Sequence, residues 1–275
     1  MSDAAGRADR FRELHRPGTP LLLPNPWDIG SARLLASLGF QALATTSSGF
    51  AATLGRLDGD VTRDEAIAHA AQIVAATSLP VSADLENGFA DAPEDVAETA
   101  RRAVAAGLAG FSIEDFSPAE DGGIYEPGPA AERVAAAAQV AHAGPARLVV
   151  TGRAENYLRG RPDLADTIAR LSAYAEAGAD VVYAPGVTRA QDIQAIVSAV
   201  SRPVNVLARP GAPSVSELAA LGVSRISVGG ALAFAAVDAV VVAARELRDA
   251  GTYGFTGPAA DGVRAARDAF GPPRT

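Results

Sequence analysis

Three segments with the same layout decide the fold: AAGLAGFSIE at residues 105–114, EAGADVVYAP at 176–185 and ALGVSRISVG at 220–229. In each, a helix-forming stretch reaches a glycine, and a short apolar run follows. A glycine at that point suits the left-handed backbone that ends many helices. The apolar runs show no polar alternation, which is typical of parallel strands covered on both faces. Each segment is therefore interpreted as the joint between a helix and a buried parallel strand.

The same pattern recurs along the chain and predicts eight strands. They are expected at residues 20–24, 42–46, 80–84, 110–114, 147–152, 180–184, 203–207 and 225–229. Eight alternations of strand and helix predict an α/β fold, a closed (β/α)8 TIM-type barrel of right-handed βαβ units. We assign residues 1–275 to one domain, with the barrel at about 20–249 and a C-terminal tail at about 250–275. The tail contains a short amphipathic pattern at 259–270 that suits packing on the barrel or on a neighbouring subunit.

Candidate helix starts support this register. Thr62, Thr188 and Ser214 each stand three residues before Glu or Gln, the spacing of a capping box. Asp28 and Asp91 are further candidates, because their carboxylates can accept hydrogen bonds from the first free N–H groups of a helix.

The composition excludes several classes of function. The net charge is −8, so nucleic-acid binding has no electrostatic support. The chain has no Cys, which excludes a thiolate nucleophile and a thiolate metal site. It also has no Lys, since all 24 basic residues are Arg, and a Schiff-base mechanism is therefore excluded.

The sequence favours a cytoplasmic protein with no membrane partner. Residues 1–16 are polar and resemble neither a secretory signal nor an anchor. The most apolar stretch, residues 231–244, is interrupted by Asp238 and is too short to span a bilayer.

Four acidic residues are expected at one end of the barrel. In this fold the functional site forms at the carboxyl ends of the strands, where the pattern places Asp58, Asp84, Glu86 and Glu114. Crowded carboxylates repel unless a cation neutralises them, and oxygen-only ligands favour Mg²⁺ or Mn²⁺. The alternative is that these acids cap helices or pair with Arg at the surface.

Other polar residues at the same end are candidates for substrate binding. The planar fork of Arg153 matches a carboxylate, although an ion pair with Glu155 or with a rim acid is the alternative. Thr46, Ser47 and Ser48 offer hydroxyl and N–H donors to a carboxylate or oxyanion, or they form an ordinary turn. Asn205 interrupts an apolar strand and is expected to have a partner in the barrel mouth.

The connection at residues 115–129 is long and rich in Gly, Pro and acid. Long loops at the active end of a barrel are often lids, and a plain surface loop is the alternative. Its ionisable residues Asp115, Glu120, Asp121 and Tyr125 are the candidates for a mobile acid or base.

Several of these motifs together resemble the isocitrate lyase/phosphoenolpyruvate mutase superfamily, in particular its phosphonomutase-like branch. They are LPNPWDIGSARLLASLGFQALATTSSGFAATLGRLDG (23–59), PVSADLENGFAD (80–91), GFSIED (110–115), VVTGRAE (149–155) and PVNVLARPG (203–211). The resemblance spans roughly residues 20–245 and keeps the order of the motifs. It implies a Mg²⁺-dependent (β/α)8 barrel that handles 2-oxo carboxylates through enolate-like species.

The resemblance also implies roles for individual residues. Asp84 is expected to bind the metal directly, with the other three acids acting mainly through metal-bound water. Thr46, Ser47, Ser48, Arg153 and Asn205 are expected to hold the substrate carboxylate, and Asp84 is also expected to be a substrate-binding residue. We assign catalytic roles to Asp58, Glu114 and Arg153. Members of the superfamily exchange their last helix between subunits, so a dimer of dimers, a homotetramer, is expected.

The sequence departs from the superfamily in its loops. Lyases that cleave isocitrate or methylisocitrate carry Lys-x-Cys-Gly-His on a gating loop, whereas this loop reads FSPAEDGGIYEPG. The Lys-x-Asn motif of enzymes acting on phosphonopyruvate is also missing, and Pro185 stands where tricarboxylate lyases have Glu. The metal and 2-oxo acid platform is what remains.

Three functions are consistent with these observations. The first is a Mg²⁺-dependent lyase or decarboxylase of a small 2-oxo diacid such as oxaloacetate, a reaction that leaves an enolate and needs no strong base. The second is a C–P mutase or hydrolase with an altered loop. The third is a 2-oxo acid binding protein that has lost catalysis.

Overall fold

Eight parallel strands curve into a nearly closed barrel in a computed structural model that describes residues 3–117 and 123–271. The strands are β1 (Leu21–Leu23), β2 (Leu43–Ala44), β3 (Val81–Asp84), β4 (Gly110–Glu114), β5 (Val149–Arg153), β6 (Val181–Tyr183), β7 (Val204–Leu207) and β8 (Arg225–Ser227). They pair in the order β1-β8-β7-β6-β5-β4-β3-β2. At the seam between β1 and β2, the Ala44 N–H donates to the Pro24 carbonyl oxygen at 3.1 Å. The predicted (β/α)8 barrel is confirmed, and each predicted strand contains an observed one except the fifth, where β5 extends one residue beyond the predicted range, to Arg153.

Helices surround the barrel and extend beyond it. They are α1 (Asp3–Glu13), α2 (Ile29–Ser37), α3 (Ser47–Thr53), α4 (Arg63–Ala76), α5 (Pro93–Ala105), α6 (Pro127–Ala143), α7 (Leu164–Glu176), α8 (Ala190–Ala199), α9 (Val215–Ala220), α10 (Ala231–Arg245) and α11 (Thr256–Phe270). A π-helical turn, Glu246–Ala250, continues α10. Two apolar clusters fill the space between helices and strands, centred on residues such as Phe111 and Leu171.

Most of the predicted helix caps are confirmed. Asp28, Thr62 and Ser214 form capping boxes at the starts of α2, α4 and α9. The predicted cap at Thr188 is wrong, because α8 begins after Arg189 and no side chain caps it. The predicted cap at Asp91 is also wrong: α5 begins after Ala92, and the Asp91 carboxylate accepts a hydrogen bond from Tyr125 instead.

Helix α1, which the sequence analysis did not predict, closes the amino-terminal end of the barrel. Its buried residues Ala5, Ala8 and Phe11 recur every three positions and form a narrow apolar stripe on a polar helix. Phe11 lies against Gly110, where a Cβ atom would be 2.6 Å from the Val149 carbonyl oxygen and 2.9 Å from the Phe11 ring. Glycine at position 110 therefore allows α1 to approach the strands closely.

His15, just after α1, is buried at this end of the barrel and gives the protein a specific pH dependence. Its Nδ1 lies 2.8 Å from the Phe11 carbonyl oxygen, so Nδ1 carries the proton and Nε2 faces Arg225 at 3.3 Å. Burial and the charge of Arg225 lower the pKa of His15 to about 3, against a smaller raising effect of Asp180.

We expect this histidine to make unfolding easier as the pH falls from about 6.5 to about 3. In that range the unfolded chain takes up a proton at His15 and the folded chain does not, so the free energy of unfolding decreases by at most about 1.4 kcal/mol per pH unit. Urea unfolding at several pH values should show a shallower dependence for His15→Gln than for the wild type. Equal slopes for the two proteins would contradict the assignment.

The carboxyl-terminal helices differ from the rest in their exposure. Val237, Val240 and Val242 on α10 are 47%, 68% and 57% exposed, and on this helix Ala233 is the buried residue. Helix α11, which extends the predicted amphipathic segment by one turn, packs against α2. An apolar helix is normally covered. Within the described ranges, no helix is both long and apolar enough to cross a membrane.

Candidate active site

A cavity of about 320 Å³ opens at the carboxyl ends of the strands, and we call it the rim cavity. It is lined by Ser47, Asp58, Gly59, Asp60, Glu86, Glu114, Phe116, Arg153 and Arg159. The sheet register positions two of these side chains, because Glu114 at the end of β4 is the direct neighbour of Arg153 at the end of β5. The predicted site residues on four separate connections thus reach one cavity.

Arg153 lines this cavity, and its guanidinium forms ion pairs with carboxylates. Its Nη1 lies 3.1 Å from Glu114 Oε2 and 3.5 Å from Asp84 Oδ2, and its Nε lies 2.6 Å from Glu155 Oε1. Burial opposes the charge of Arg153, but Glu114, Glu155 and Asp84 hold its pKa well above its usual range. The ion-pair alternative for Arg153 is therefore realised in this structure.

The four acids expected at this end do converge, and repulsion between their negative charges contributes to the raised pKa values of Glu86 and Glu114. Burial raises the pKa of Glu86 to about 8, together with the negative charges of Asp84 and Asp58. Burial also raises the pKa of Asp58, against the hydrogen bond of Ser47. It raises the pKa of Glu114 well above its usual range, although the charge of Arg153 opposes that rise. The carboxylates in and beside this cavity outnumber its two guanidinium groups, those of Arg153 and Arg159.

The donor set fits a hard divalent ion that keeps much of its water. Among the described residues, no three Asp, Glu, His or Cys side chains are arranged to ligate one ion directly. Mg²⁺ usually binds proteins through one or two carboxylates and retains several waters. Asp84 and Glu86, whose repulsion such an ion would relieve, fit that pattern.

The loop that carries Glu86 has an unusual backbone. Strand β3 ends at Asp84, so the alternation expected to align Asp84 with Glu86 does not extend to Glu86, which has a left-handed φ of 48°. Phe89 has φ 58°. Arg133, buried on α6, donates to the carbonyl oxygens of Asn87 and Asp91 and fixes the loop. Such strain in non-glycine residues is concentrated at functional sites.

The Ser/Thr segment forms both a turn and part of the site. Thr46 caps α3, where its hydroxyl accepts from the Gly49 N–H at 3.4 Å and lies 3.2 Å from the Ser48 hydroxyl. The Ser47 hydroxyl donates to Asp84 Oδ2 at 3.2 Å. Ser47 therefore orients the carboxylate of the candidate metal ligand.

Asn205 lies deeper than the rim cavity. It lines a second cavity of about 60 Å³ inside the barrel, which we call the inner cavity and to which Asp84 and Arg153 also contribute. Its Nδ2 donates to Ser227 Oγ at 3.0 Å, and its Oδ1 accepts from Arg225 Nε at 3.0 Å. The partner that was expected for Asn205 is thus a pair of protein side chains, those of Ser227 and Arg225.

The loop at 115–129 is anchored at both of its described ends. Asp115 is buried, and its carboxylate accepts from Tyr174 at 2.6 Å, from the Glu155 N–H at 2.8 Å and from Arg170 at 3.1 Å. The Tyr125 N–H donates to the Asp115 carbonyl oxygen at 2.8 Å. Asp115 and Tyr125, predicted as candidates for a mobile acid or base, are therefore both held by hydrogen bonds in this structure. Glu120 and Asp121 lie outside the described residues.

Two functional candidates were missed from the sequence. Arg159 lines the rim cavity, stacks on Phe116 with 3.3 Å from its guanidinium carbon to the ring centroid, and lies 3.4 Å from Glu155 Oε2. Asn25 joins three strand ends, because it donates to the Thr45 carbonyl oxygen and accepts from the N–H groups of Val228 and Gly229. The one signal in the sequence was that Arg159 follows Glu155 by four residues, a spacing that allows the two side chains to form an ion pair.

Known proteins are similar to this chain along most of its length. The family described as phosphoenolpyruvate phosphomutase matches residues 11–248. An uncharacterised protein of Mycobacterium tuberculosis is 35% identical over 241 residues, covering 87% of this chain and 89% of that protein. An oxaloacetate decarboxylase of Pseudomonas entomophila is 31% identical, covering 83% and 80%. The crystal structure of a protein described as a lyase/mutase from Burkholderia cenocepacia J2315 has 53% identity and a TM-score of 0.94, covering 99% and 98%.

Proposed function

The chain belongs to the isocitrate lyase/phosphoenolpyruvate mutase superfamily, and from this premise we propose that it is a Mg²⁺-dependent lyase that decarboxylates a small 2-oxo diacid such as oxaloacetate. The observation that carries the proposal is the rim cavity, where Asp58, Glu86, Glu114 and Arg153 line a space large enough for a small diacid. Asp84 lies next to this cavity, 3.5 Å from Arg153. The named function of the P. entomophila relative points to the same substrate class.

Asp84 would hold the ion directly, and Glu86, Asp58 and Glu114 would hold its water molecules. The chemistry that a bound Mg²⁺ supplies here is polarisation of the 2-oxo oxygen and neutralisation of charge. Ser47 keeps the Asp84 carboxylate in place, and Arg153 pairs with Glu114 beside it.

The reaction places modest demands on the protein. The bond between C3 and the departing carboxylate breaks, its electron pair forms the enolate of pyruvate, and C3 then takes a proton. Oxaloacetate and one proton thus give pyruvate and carbon dioxide. No strong base is needed, in agreement with a chain that has neither Cys nor Lys.

The direct test is turnover of a panel of 2-oxo acids with and without Mg²⁺, followed by proton NMR. Free Mg²⁺ with heat-denatured protein measures the background of metal-promoted decarboxylation. We expect turnover of a 2-oxo diacid well above that background, and loss of turnover with EDTA. Metal-loaded protein that converts none of the acids would overturn the proposal.

A second candidate is C–P bond chemistry, which is favoured by the match to the phosphomutase family. Incubation with phosphonopyruvate, followed by phosphorus NMR, separates it from the first candidate. A new phosphate or phosphate-ester signal would support the second candidate. Stabilisation of the protein by 2-oxo acids and Mg²⁺, without product in either assay, would instead indicate a binding protein that has lost catalysis.

The exposed apolar surface of α10 is the basis for a proposed homo-oligomer, a dimer of dimers, in which neighbouring copies cover this helix. We expect Val237→Asp to dissociate the oligomer, as measured by light scattering after size-exclusion chromatography, because a charge would have to be buried at the contact. Val215→Asp on α9 is a matched control, since both valines are 47% exposed. A wild type that is monomeric at micromolar concentration would contradict this proposal.

A further inference from the structure

Arg225 is a buried cation whose described partners are all neutral. It lies at the start of β8, points into the barrel and is 4% exposed. Its Nε donates to Asn205 Oδ1 at 3.0 Å, its Nη2 donates to Thr151 Oγ1 at 3.1 Å, and its Nη1 lies 3.3 Å from His15 Nε2. The hydrogen bond of His15 to Phe11 leaves this Nε2 as an acceptor, so the imidazole is neutral.

The charge of Arg225 is therefore not balanced by the part of the chain that the structure describes. No carboxylate in residues 3–117 or 123–271 lies within 4 Å of it, whereas Arg153 and Arg170 both pair with buried acids. Burial lowers the pKa of Arg225 to about 10, which reflects the cost of a desolvated cation. Buried charges in proteins are normally paired. A guanidinium has five N–H donors, and the three contacts above leave donors for a further acceptor.

The inner cavity beside Arg225 is polar and has room for that acceptor. Barrel interiors are usually packed with Val, Ile and Leu, but this one presents hydroxyl and amide groups around a volume of about 60 Å³. The polar lining consists of Asn25, Thr45, Ser82, Ser112, Tyr183, Asn205 and Ser227, with Asp84 and Arg153 at the end that adjoins the rim cavity. The space would hold a few water molecules, one halide ion or one carboxylate group.

We propose that the inner cavity is a binding site for one small monovalent anion, held by Arg225 and by the surrounding hydroxyl and amide donors. The anion lies at the Arg225 end, because at the other end the Asp84 carboxylate already pairs with Arg153 and Ser47. Its source is either a free halide or the carboxylate of a ligand that enters from the rim cavity. The proposal does not depend on the reaction that the protein catalyses.

Crystals of the wild type soaked in sodium bromide provide the main test. We expect an anomalous difference peak in the inner cavity within contact distance of the Arg225 guanidinium. The same crystals soaked with Mg²⁺ and oxalate or pyruvate distinguish the two sources: a carboxylate that displaces the bromide identifies a ligand subsite, and a bromide that stays identifies a free-anion site. A cavity that contains only water in all soaks would overturn the proposal.

Thermal unfolding in solution gives an independent measurement. In sodium chloride or bromide we expect a Tm about 3 °C above that in sodium gluconate of the same ionic strength, because the folded protein binds the small anion. Arg225→Gln should abolish this difference, and Arg225→Lys should retain part of it. If neither variant folds, the wild-type Tm values still decide: equal values in all salts would contradict the anion site.

Discussion

Asp84→Ala is expected to lower metal-dependent turnover of a 2-oxo diacid by about a thousand-fold or more, because the residue would be the direct ligand of a catalytic ion worth several kcal/mol. Both the backbone and the side chain of Asp84 are held by neighbouring residues. Its backbone N–H donates a hydrogen bond to Thr45 Oγ1 at 3.0 Å. Its Oδ2 lies 3.2 Å from the Ser47 hydroxyl and 3.5 Å from Arg153 Nη1. Glu86, the next acid along the chain, lies on a strained loop beyond the end of the strand.

Two measurements and one control make this prediction specific. Calorimetric titration with Mg²⁺ should show weakened binding in Asp84→Ala, and kcat should fall together with it. Asp64→Ala is the control, since this acid is on the outer surface of α4 and its side chain is 83% exposed. If Asp84→Ala binds Mg²⁺ as the wild type does and keeps its kcat within a few-fold, the ion is held elsewhere.

The sequence was sufficient for the barrel because its strands are signalled locally. A helix that ends on glycine, such as Gly107, Gly178 or Gly222, followed by an apolar run, is complete within ten residues, and all three glycines have left-handed φ values. Helix α1 was not predicted, because its apolar stripe consists largely of alanine on a polar helix. The position of the helix depends on its packing against Gly110, which is a tertiary contact.

The site could be predicted in part for the same reason. Strand ends identified Asp84, Glu114 and Arg153, because the carboxyl ends of parallel strands share one edge. The pairing of Arg153 with Glu114 depends on the register between β4 and β5, which is a tertiary property. The depth of Asn205 is likewise set by the stagger of β7 against β8, where it pairs with Arg225.

Arg153→Met is expected to impair both activity and folding. The substitution leaves Glu114 and Glu155, which are 7% and 0% exposed in their side chains, without their main counter-ion. Removing one partner from a buried ion pair typically costs about 3–5 kcal/mol, so the free energy of unfolding measured with urea should fall by about that amount. Turnover should fall at least about a hundred-fold, because the substrate site loses its central positive charge.

A double-variant cycle separates the two consequences of Arg153→Met. In Arg153→Met/Glu114→Gln one uncompensated carboxylate is gone as well, so much of the lost stability should return, giving a coupling energy that neighbouring residues show and distant ones do not. Activity should not return, because neither the guanidinium nor the carboxylate is present at the rim cavity. If the double variant is as unstable as Arg153→Met, the packing of the Arg153 side chain stabilises this end of the barrel and its ion pair with Glu114 does not. If activity returns with stability, Arg153 is a structural residue and the substrate is held by another group, for which Arg159 in the same cavity is the candidate.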